Sequence, residues 1–226
     1  MILLVLRPER SCRTDARRRS DYSNMSLPIE LQRFSLRPIA SIVAAFVLVM
    51  TVLQALPEPL QDLLRYDREA ILAGEMYRLV TGHFVHLGWQ HYALNMAGLV
   101  LGTWLFGPDR HPLEWTLAGI LLALACGSGL LAFSPDVLWC VGLSGVLHGF
   151  MILGFGGWAL AGDRLALALL VIVIVKMTWE QLGGAMPWEA ALSGGRVVTD
   201  AHVWGAAGGG IFLAVASALR LRQRPL

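Results

Sequence analysis

Long apolar blocks separated by short polar stretches are the dominant pattern of this chain. Six blocks approach the roughly 20 residues that a helix needs to cross a bilayer, and they fall at 39–56, 89–106, 113–133, 142–160, 165–179 and 201–219. The apolar residues fill these blocks and do not alternate with polar residues, as they would in a half-buried strand. The pattern predicts an all-α membrane protein with six spanning helices.

The two ends of the chain differ from this body. Residues 1–37 form a basic stretch with eight arginines, for which we predict a disordered cytoplasmic tail. Residues 38–220 would be the six-helix membrane domain, and 221–226 a short basic C-terminal tail. Met1 and Met25 both remain possible translation starts.

The basic residues also predict the orientation in the membrane. With a cytoplasmic N-terminus, eight of them lie in the tail, one in each of two inner loops and three at the C-terminus, against at most five outside. Because cytoplasmic segments carry the excess of Lys and Arg, we expect both termini inside. In a bacterial cell the protein would be a multi-pass protein of the inner membrane.

The segment 57–88, between the first and second blocks, is too long for a simple connection. Leu60, Leu63, Leu64 and Ile71 recur at near-helical spacing with charged residues between them. This favours an amphipathic helix at the membrane interface. A short helix packed on the outer loops is an equally good interpretation.

Composition excludes several classes of protein. With 56% apolar and only 15% charged residues, the chain is not an ordinary soluble domain, and a net charge of +2 gives no indication of nucleic-acid binding. Its three cysteines form no CxxC pair, which excludes a disulfide framework and a zinc pattern. We predict no cofactor and no metal.

Five polar residues that could carry chemistry are expected at one depth, because blocks two, four and six would all start on the outer side. They are His91, Asn95, Ser144, His148 and His202. A single intramembrane histidine is more often structural, but three beside a glycine-flanked serine favour a site in the bundle interior. The chemistry that fits is a serine nucleophile, Ser144, with a histidine base, while His91 and Asn95 would donate to an oxyanion.

A Ser-His dyad fits the sequence better than a triad. No intramembrane aspartate is available, and Asp200 precedes His202 by two residues, a spacing at which helical side chains do not meet. We also expect no acidic residue at the depth of the histidines.

The glycines predict how the fourth and sixth blocks pack. Gly205 and Gly209 are four residues apart, as in the small-xxx-small pattern that lets membrane helices approach closely. Gly145, next to Ser144, would allow the same approach from the other helix. Close packing there would bring His202 within the ~3 Å that a Ser-His hydrogen bond requires.

Over about residues 39–220 the sequence resembles the rhomboid intramembrane serine proteases, with a six-helix rhomboid-like bundle as the implied fold. Gly142-Leu-Ser144-Gly145 resembles the GxSG nucleophile motif of that family. Residues 201–209 resemble its AHxxGxxxG segment, which implies His202 as the base. His91 and Asn95 resemble its HxxxN pair. Tyr77-Arg78 is similar to the Trp-Arg pair of the family's first outer loop, and His86 lies where the family usually has an additional histidine.

One departure from the family is informative. Many rhomboids have a tyrosine four residues after the serine, where this chain has His148. A histidine at this position, in a compact six-helix domain, resembles the rhombosortase branch of the family. The resemblance implies a membrane-anchored protein substrate with a C-terminal tag made of a Gly-Gly motif, a transmembrane helix and a basic end, cleaved at the outer, periplasmic side. His148 would either orient His202 or share its proton transfer, and we favour orientation.

Other interpretations remain open. The histidines at 83, 86, 91, 148 and 202 could bind a metal or haem, although the chain has no HExxH motif. The protein could be a catalytically silent rhomboid-like scaffold for membrane clients, or a general rhomboid protease of other single-span substrates. A transporter is less consistent with the sequence, since the halves show no inverted repeat.

Overall fold

The structure, a computed structural model, describes residues 29–107 and 111–222. Within these ranges helices predominate, and two strands of two residues each accompany them. In chain order the elements are α1 (Ile29–Gln54), α2 (Glu58–Asp62), β1 (Tyr66–Asp67), α3 (Arg68–Leu72), α4 (Arg78–Thr81), α5 (Trp89–Phe106), α6 (Pro112–Phe133), β2 (Trp139–Cys140), α7 (Ser144–Leu160), α8 (Arg164–Gly183), α9 (Pro187–Ser193) and α10 (Thr199–Arg222).

Six of these helices coincide with the six apolar blocks of the sequence: α1, α5, α6, α7, α8 and α10. Three are both long and apolar enough to cross a membrane, namely α6, α8 and the Thr199–Leu219 part of α10. The apolar part of α1, Ile39–Gln54, and the helix α7 are shorter. The described residues therefore contain three strong candidate spans, and the count of six stays a prediction.

Three helices extend beyond their predicted ends. Helix α1 begins at Ile29, so residues 29–37 of the predicted disordered tail are helical, and α10 includes two residues of the predicted C-terminal tail. Helix α8 continues to Gly183, four residues past the predicted end at 179. Hydropathy shows where the apolar part of a helix lies. It does not show where the helix ends, because polar residues can continue the helical hydrogen bonds of the backbone. The tail before Ile29 and the last residues after Arg222 lie outside the described residues.

Of the two interpretations left open for the segment 57–88, called the outer loop below, the amphipathic helix is not found, since Leu60 lies on α2 and Ile71 on α3. The outer loop agrees better with short packed helices. It contains three short helices and β1, which pairs antiparallel with β2 through Tyr66–Cys140 and Asp67–Trp139. Pro57 and Pro59 lie at the start of α2, and the chain turns again after each short helix. The small β-pair also corrects the prediction that the fold is entirely α.

Arg78 holds the outer loop together from inside. Its side chain is buried, and Nη1 donates to the carbonyl oxygens of Asp62 at 2.6 Å and Arg65 at 3.1 Å. Its Nε pairs with Glu75 at 2.6 Å. A guanidinium has five donors in a fixed fork, so one side chain satisfies carbonyl groups on two turns of the loop.

Helix α7 lies at the centre of the bundle and packs closely on α10. Gly145 and Gly149 of α7 face Gly205 and Gly209 of α10, and we call this contact the glycine seam. A Cβ atom added at Gly205 or Gly209 would collide with the carbonyl group of Gly145 or Gly149, respectively. Small residues let the two backbones touch, and this contact fixes the distance between the two helices.

Candidate active site

Ser144 is the first residue of α7, and a tight turn positions it. Gly142 precedes it with φ +110°, a conformation that residues with a side chain rarely adopt. The Gly142 N–H donates to the carbonyl oxygen of Gly82 at 3.1 Å. The buried His83 ring lies between the carbonyl oxygens of Gly142 at 3.3 Å and Ala123 at 3.1 Å. The outer loop therefore holds the turn that presents the serine.

The glycine seam brings Ser144 and His202 together. Nε2 of His202, on the first turn of α10, lies 3.0 Å from Oγ of Ser144. The histidine is 3% exposed, so few competing donors reach it. At the 3.0 Å between Nε2 and Oγ, a histidine can take a proton from a hydroxyl group.

The other ring nitrogen of His202 has an acidic partner that the sequence analysis missed. Nδ1 lies 3.0 Å from Oε2 of Glu180, whose side chain is completely buried on α8. Because α8 was predicted to end at residue 179, Glu180 was assigned to a loop. The expectation of no acidic residue at this depth was wrong.

A lysine neutralises the buried carboxylate. The ammonium group of Lys176, one turn earlier on α8, pairs with Oε1 of Glu180 and lies 3.0 Å from Oε1 of Glu189 on α9. Within an apolar block, Lys176 and Glu180 at i and i+4 were the available signal, since charges that far apart on a helix can pair.

His148 lies parallel to His202, with ring centroids 4.1 Å apart and an interplanar angle of 16°. Its Nδ1 lies 2.8 Å from the carbonyl oxygen of Ser144, and its Nε2 lies 3.3 Å from Nζ of Lys176. The carbonyl can only accept and the ammonium can only donate, so the ring is neutral with its proton on Nδ1. Both nitrogens are occupied, which fits a residue that orients its neighbour.

His91 and Asn95 face the turn from α5. A Cβ atom added at Gly142 would lie 2.8 Å from Nε2 of His91 and 3.3 Å from Nδ2 of Asn95. Nδ1 of His91 accepts from the Leu87 N–H at 3.5 Å, which leaves the proton on Nε2. Among the described residues, Nδ2 of Asn95 is buried and has no hydrogen-bond partner. Two donors thus lie against the turn at Gly142, two residues before Ser144.

His86 stands behind this pair, outside the spanning helices. Its ring packs edge-on against His91, with centroids 5.2 Å apart. Burial, followed by the nearby His91, lowers the pKa of His86 to about 3, so the ring is neutral at physiological pH. The family resemblance places an additional histidine here, and the structure gives it contact with a candidate oxyanion donor.

The residues His148, Glu180 and His202 come close enough to hold a metal ion. The ammonium group of Lys176 already lies against two of them, pairing with Glu180 and contacting His148. A positive charge at this point repels a metal cation, and the donors that would bind the metal are hydrogen-bonded to Lys176, Ser144 or each other. The residues of this cluster therefore fit a proton-transfer network better than a metal site.

Ser144 and His148 border a cavity of about 220 Å³ between α5 and α7. The remaining lining is apolar or glycine, including Gly98, Leu147 and Phe155. The cavity leaves space beside the serine hydroxyl for an apolar group.

A serine hydroxyl in hydrogen-bond contact with a buried histidine, inside a bundle of apolar helices, defines a helical membrane protein with a candidate serine nucleophile. Comparison with known proteins agrees with this class. The family model of the rhomboid domain matches residues 73–219, more than half of the chain. The chain belongs to the rhomboid family, and it is an integral multi-pass membrane protein.

One curated relative is the Rhomboid-like protease 5 of Toxoplasma gondii, with 35% identity over 78 residues. The match covers 34% of this chain but only 9% of the relative's length. It supports the family assignment over a limited stretch.

Proposed function

We propose that the protein is an intramembrane serine endopeptidase in which Ser144 is the nucleophile and His202 the base. The observation that carries the proposal is the 3.0 Å contact between Nε2 of His202 and Oγ of Ser144. The rhomboid domain and the protease name of the Toxoplasma relative support it.

The reaction begins when Oγ of Ser144 attacks the carbonyl carbon of the scissile peptide and its proton passes to Nε2 of His202. The oxyanion accepts hydrogen bonds from Nε2–H of His91, Nδ2–H of Asn95 and the backbone N–H of Ser144. As the C–N bond breaks, His202 returns the proton to the leaving amine. Water then attacks the acyl-enzyme, and Ser144 is regenerated with release of the carboxylic acid.

The substrate must expose its peptide bond first. In a membrane-spanning helix the carbonyl groups are paired within the backbone ladder, so the segment has to unwind before Ser144 can reach it. Glycine lowers the cost of unwinding, because it is a poor helix former. A tag with a Gly-Gly motif beside a transmembrane helix meets this requirement.

We propose the rhombosortase type of substrate on this ground and on His148, which replaces the tyrosine of many rhomboids. The substrate is an exported protein whose C-terminal Gly-Gly motif, transmembrane helix and basic end form a sorting tag. The protein would lie in a bacterial inner membrane with six spans and both termini in the cytoplasm. Fluorescent-protein and alkaline phosphatase fusions to the C-terminus test that orientation, and phosphatase activity would contradict it.

The activity is tested with purified protein in liposomes and a reporter carrying the tag. We expect Ser144→Ala to abolish cleavage and labelling by a fluorophosphonate probe. Asn95→Ala should lose ~10²–10³ in kcat, the usual cost of one oxyanion donor. Ser128→Ala on α6, exposed towards the surroundings of the bundle, is the matched control and should cleave normally. Cleavage by Ser144→Ala at the wild-type rate would refute the proposal.

The substrate class is tested by replacing the Gly-Gly motif of the reporter with Leu-Leu. A sorting-tag peptidase should cleave this reporter much more slowly. Equal cleavage of both would indicate a general rhomboid protease and would contradict the narrower assignment.

A further inference from the structure

Glu180 stands where it can control which nitrogen of His202 carries the proton. Its Oε2 lies 3.0 Å from Nδ1 of His202, and an ionised carboxylate can only accept a hydrogen bond. The proton of the neutral ring is therefore held on Nδ1. Nε2 is left with its lone pair directed at Oγ of Ser144, which is the tautomer that a general base requires.

The side chain of Glu180 is completely buried, and its partners determine what a carboxylate at this position costs. An unpaired buried carboxylate would be strongly destabilising, because leaving water costs several kcal/mol. Lys176 offsets this cost, since its ammonium group pairs with Oε1 of Glu180. The two carboxylate oxygens of Glu180 thus have different partners: one pairs with Lys176 and the other contacts His202.

All three donors of the Lys176 ammonium group have an acceptor nearby. An ammonium group has three donors, and three acceptors surround this one: Glu180, Glu189 at 3.0 Å and Nε2 of His148 at 3.3 Å. The acceptors come from α8, α9 and α7, so the charge of Lys176 ties three elements together. Its fixed position then fixes that of Glu180.

The net charge of the groups around His202 is opposite to the charge that the ring carries once it is protonated. Glu180 and Glu189 contribute two negative charges and Lys176 one positive charge, which leaves one negative charge beside His202. When the ring accepts the serine proton, this charge is balanced. Groups aimed at charge that develops in the transition state are an effective source of rate enhancement.

We propose that Glu180 is a positioning residue that turns the Ser144–His202 pair into a Ser-His-Glu triad, with Lys176 holding the carboxylate in place. The inference rests on the proposed serine-protease function and adds a group that a dyad does not need. Glu180 acts through His202 and does not touch the substrate.

The test measures kcat and KM for cleavage of the tagged reporter, and the rate at which a fluorophosphonate modifies Ser144. We expect Glu180→Gln to reduce kcat and the modification rate together, by ~10² to 10⁴ as for triad acids replaced by their amides, with KM little changed. An amide can donate to Nδ1 and so stabilise the wrong tautomer. Glu180→Asp keeps the charge and should retain more activity than Glu180→Gln.

Two controls separate positioning from folding. Glu114→Gln, a buried carboxylate on α6, should leave the rate unchanged. The double variant Lys176→Met with Glu180→Gln removes both charges of the pair and should recover thermal stability but not kcat. Recovery of kcat in the double variant would show that Glu180 serves only the fold, and would overturn the inference.

The outcomes distinguish the two proposals. If Glu180→Gln works within about threefold of the wild type while Ser144→Ala is inactive, the enzyme is a dyad protease and only the triad is refuted. If Ser144→Ala remains active and the wild type is not labelled by the probe, the proposed function fails and the triad with it.

Discussion

Two parts of the molecule hold Ser144, and they use opposite chemistry. On one side the glycine seam joins α7 to α10 by backbone contact, without polar side chains. On the other side the outer loop supports the turn at Gly142 through hydrogen bonds from buried polar side chains, His83 directly and Arg78 from further away. The glycine seam determines the distance between α7 and α10, and the outer loop determines the conformation of the turn before Ser144.

The difference follows from the surroundings of each contact. Inside an apolar bundle there is little hydrophobic gain from bringing two helices together, so close van der Waals packing of small residues is the available force. The outer loop has irregular backbone, whose carbonyl groups must find donors when they are buried. Arg78 supplies such donors to Asp62 and Arg65. The seam should therefore be sensitive to volume, and the outer loop to charge.

The largest effect is expected at the seam. In Gly205→Ala the new methyl group collides with the carbonyl of Gly145, which overpacks a backbone contact and should cost about 3 kcal/mol of stability. The helices must separate, and a shift of about 1 Å at the reacting groups can reduce the rate ~10²-fold. Thermal unfolding in detergent and cleavage of the tagged reporter measure both effects.

Gly210 provides the matched control for this substitution. A Cβ atom there meets no atom within 4 Å, so Gly210→Ala should keep activity and gain up to about 1 kcal/mol from the better helix propensity of alanine. Equal behaviour of the two variants would show that the seam is not a volume-limited contact.

The next effect is expected at the turn. Gly142→Ala combines a strained φ of +110° with a collision against the ring of His91. Strain of this kind costs of order 1–3 kcal/mol, and displacement of an oxyanion donor should reduce kcat by up to ~10².

Gly162→Ala separates strain from collision. Its φ is +96°, but a Cβ atom there meets no atom within 4 Å. We expect this variant to lose stability to a similar extent and to keep its kcat. A comparable loss of kcat in both variants would mean that strain, and not contact with His91, explains the effect at Gly142.

The smallest effect concerns charge in the outer loop. Hydrogen bonds from Arg78 and then from Tyr77 lower the pKa of Glu75 below its ordinary value of 4.5. A lowered pKa means that the ionised form stabilises the folded loop above the ordinary pKa, and that this contribution is lost as pH falls through the lowered value. Glu75→Gln should therefore melt slightly below the wild type at pH 7, and the gap should be smaller at pH 3.

Melting curves of both proteins in detergent at the two pH values measure this difference, since the other carboxylates titrate in each of them. A gap of the same size at pH 7 and pH 3 would show that the ionised carboxylate of Glu75 does not contribute. The expected effect is small because Glu75 is exposed, and exposed ion pairs contribute little.

Much of the candidate site could be predicted from local sequence. Ser144, His148 and His202 lie within the first turns of helices whose apolar blocks are long, so their common depth follows from segment ends alone. The glycines at 142, 145, 205 and 209 could also be interpreted from the sequence, because a tight turn or a close helix contact requires a residue without a side chain. The outer loop was less predictable, since its short helices depend on contacts such as those of Arg78 with the carbonyl groups of Asp62 and Arg65, 16 and 13 residues away, which local periodicity does not show.

The sequence by itself determined the apolar blocks, and with them the membrane-protein class, the helical positions and the depth of the polar residues. Tertiary structure alone decided which side chain meets which. Glu180 shows the reason: a charge that ends a hydropathy block is read as the start of a loop, yet α8 continues past it and turns it towards His202. A buried charge becomes favourable only when its partners are in place, and Lys176, Glu189 and His202 come together only through the packing of α7, α8, α9 and α10.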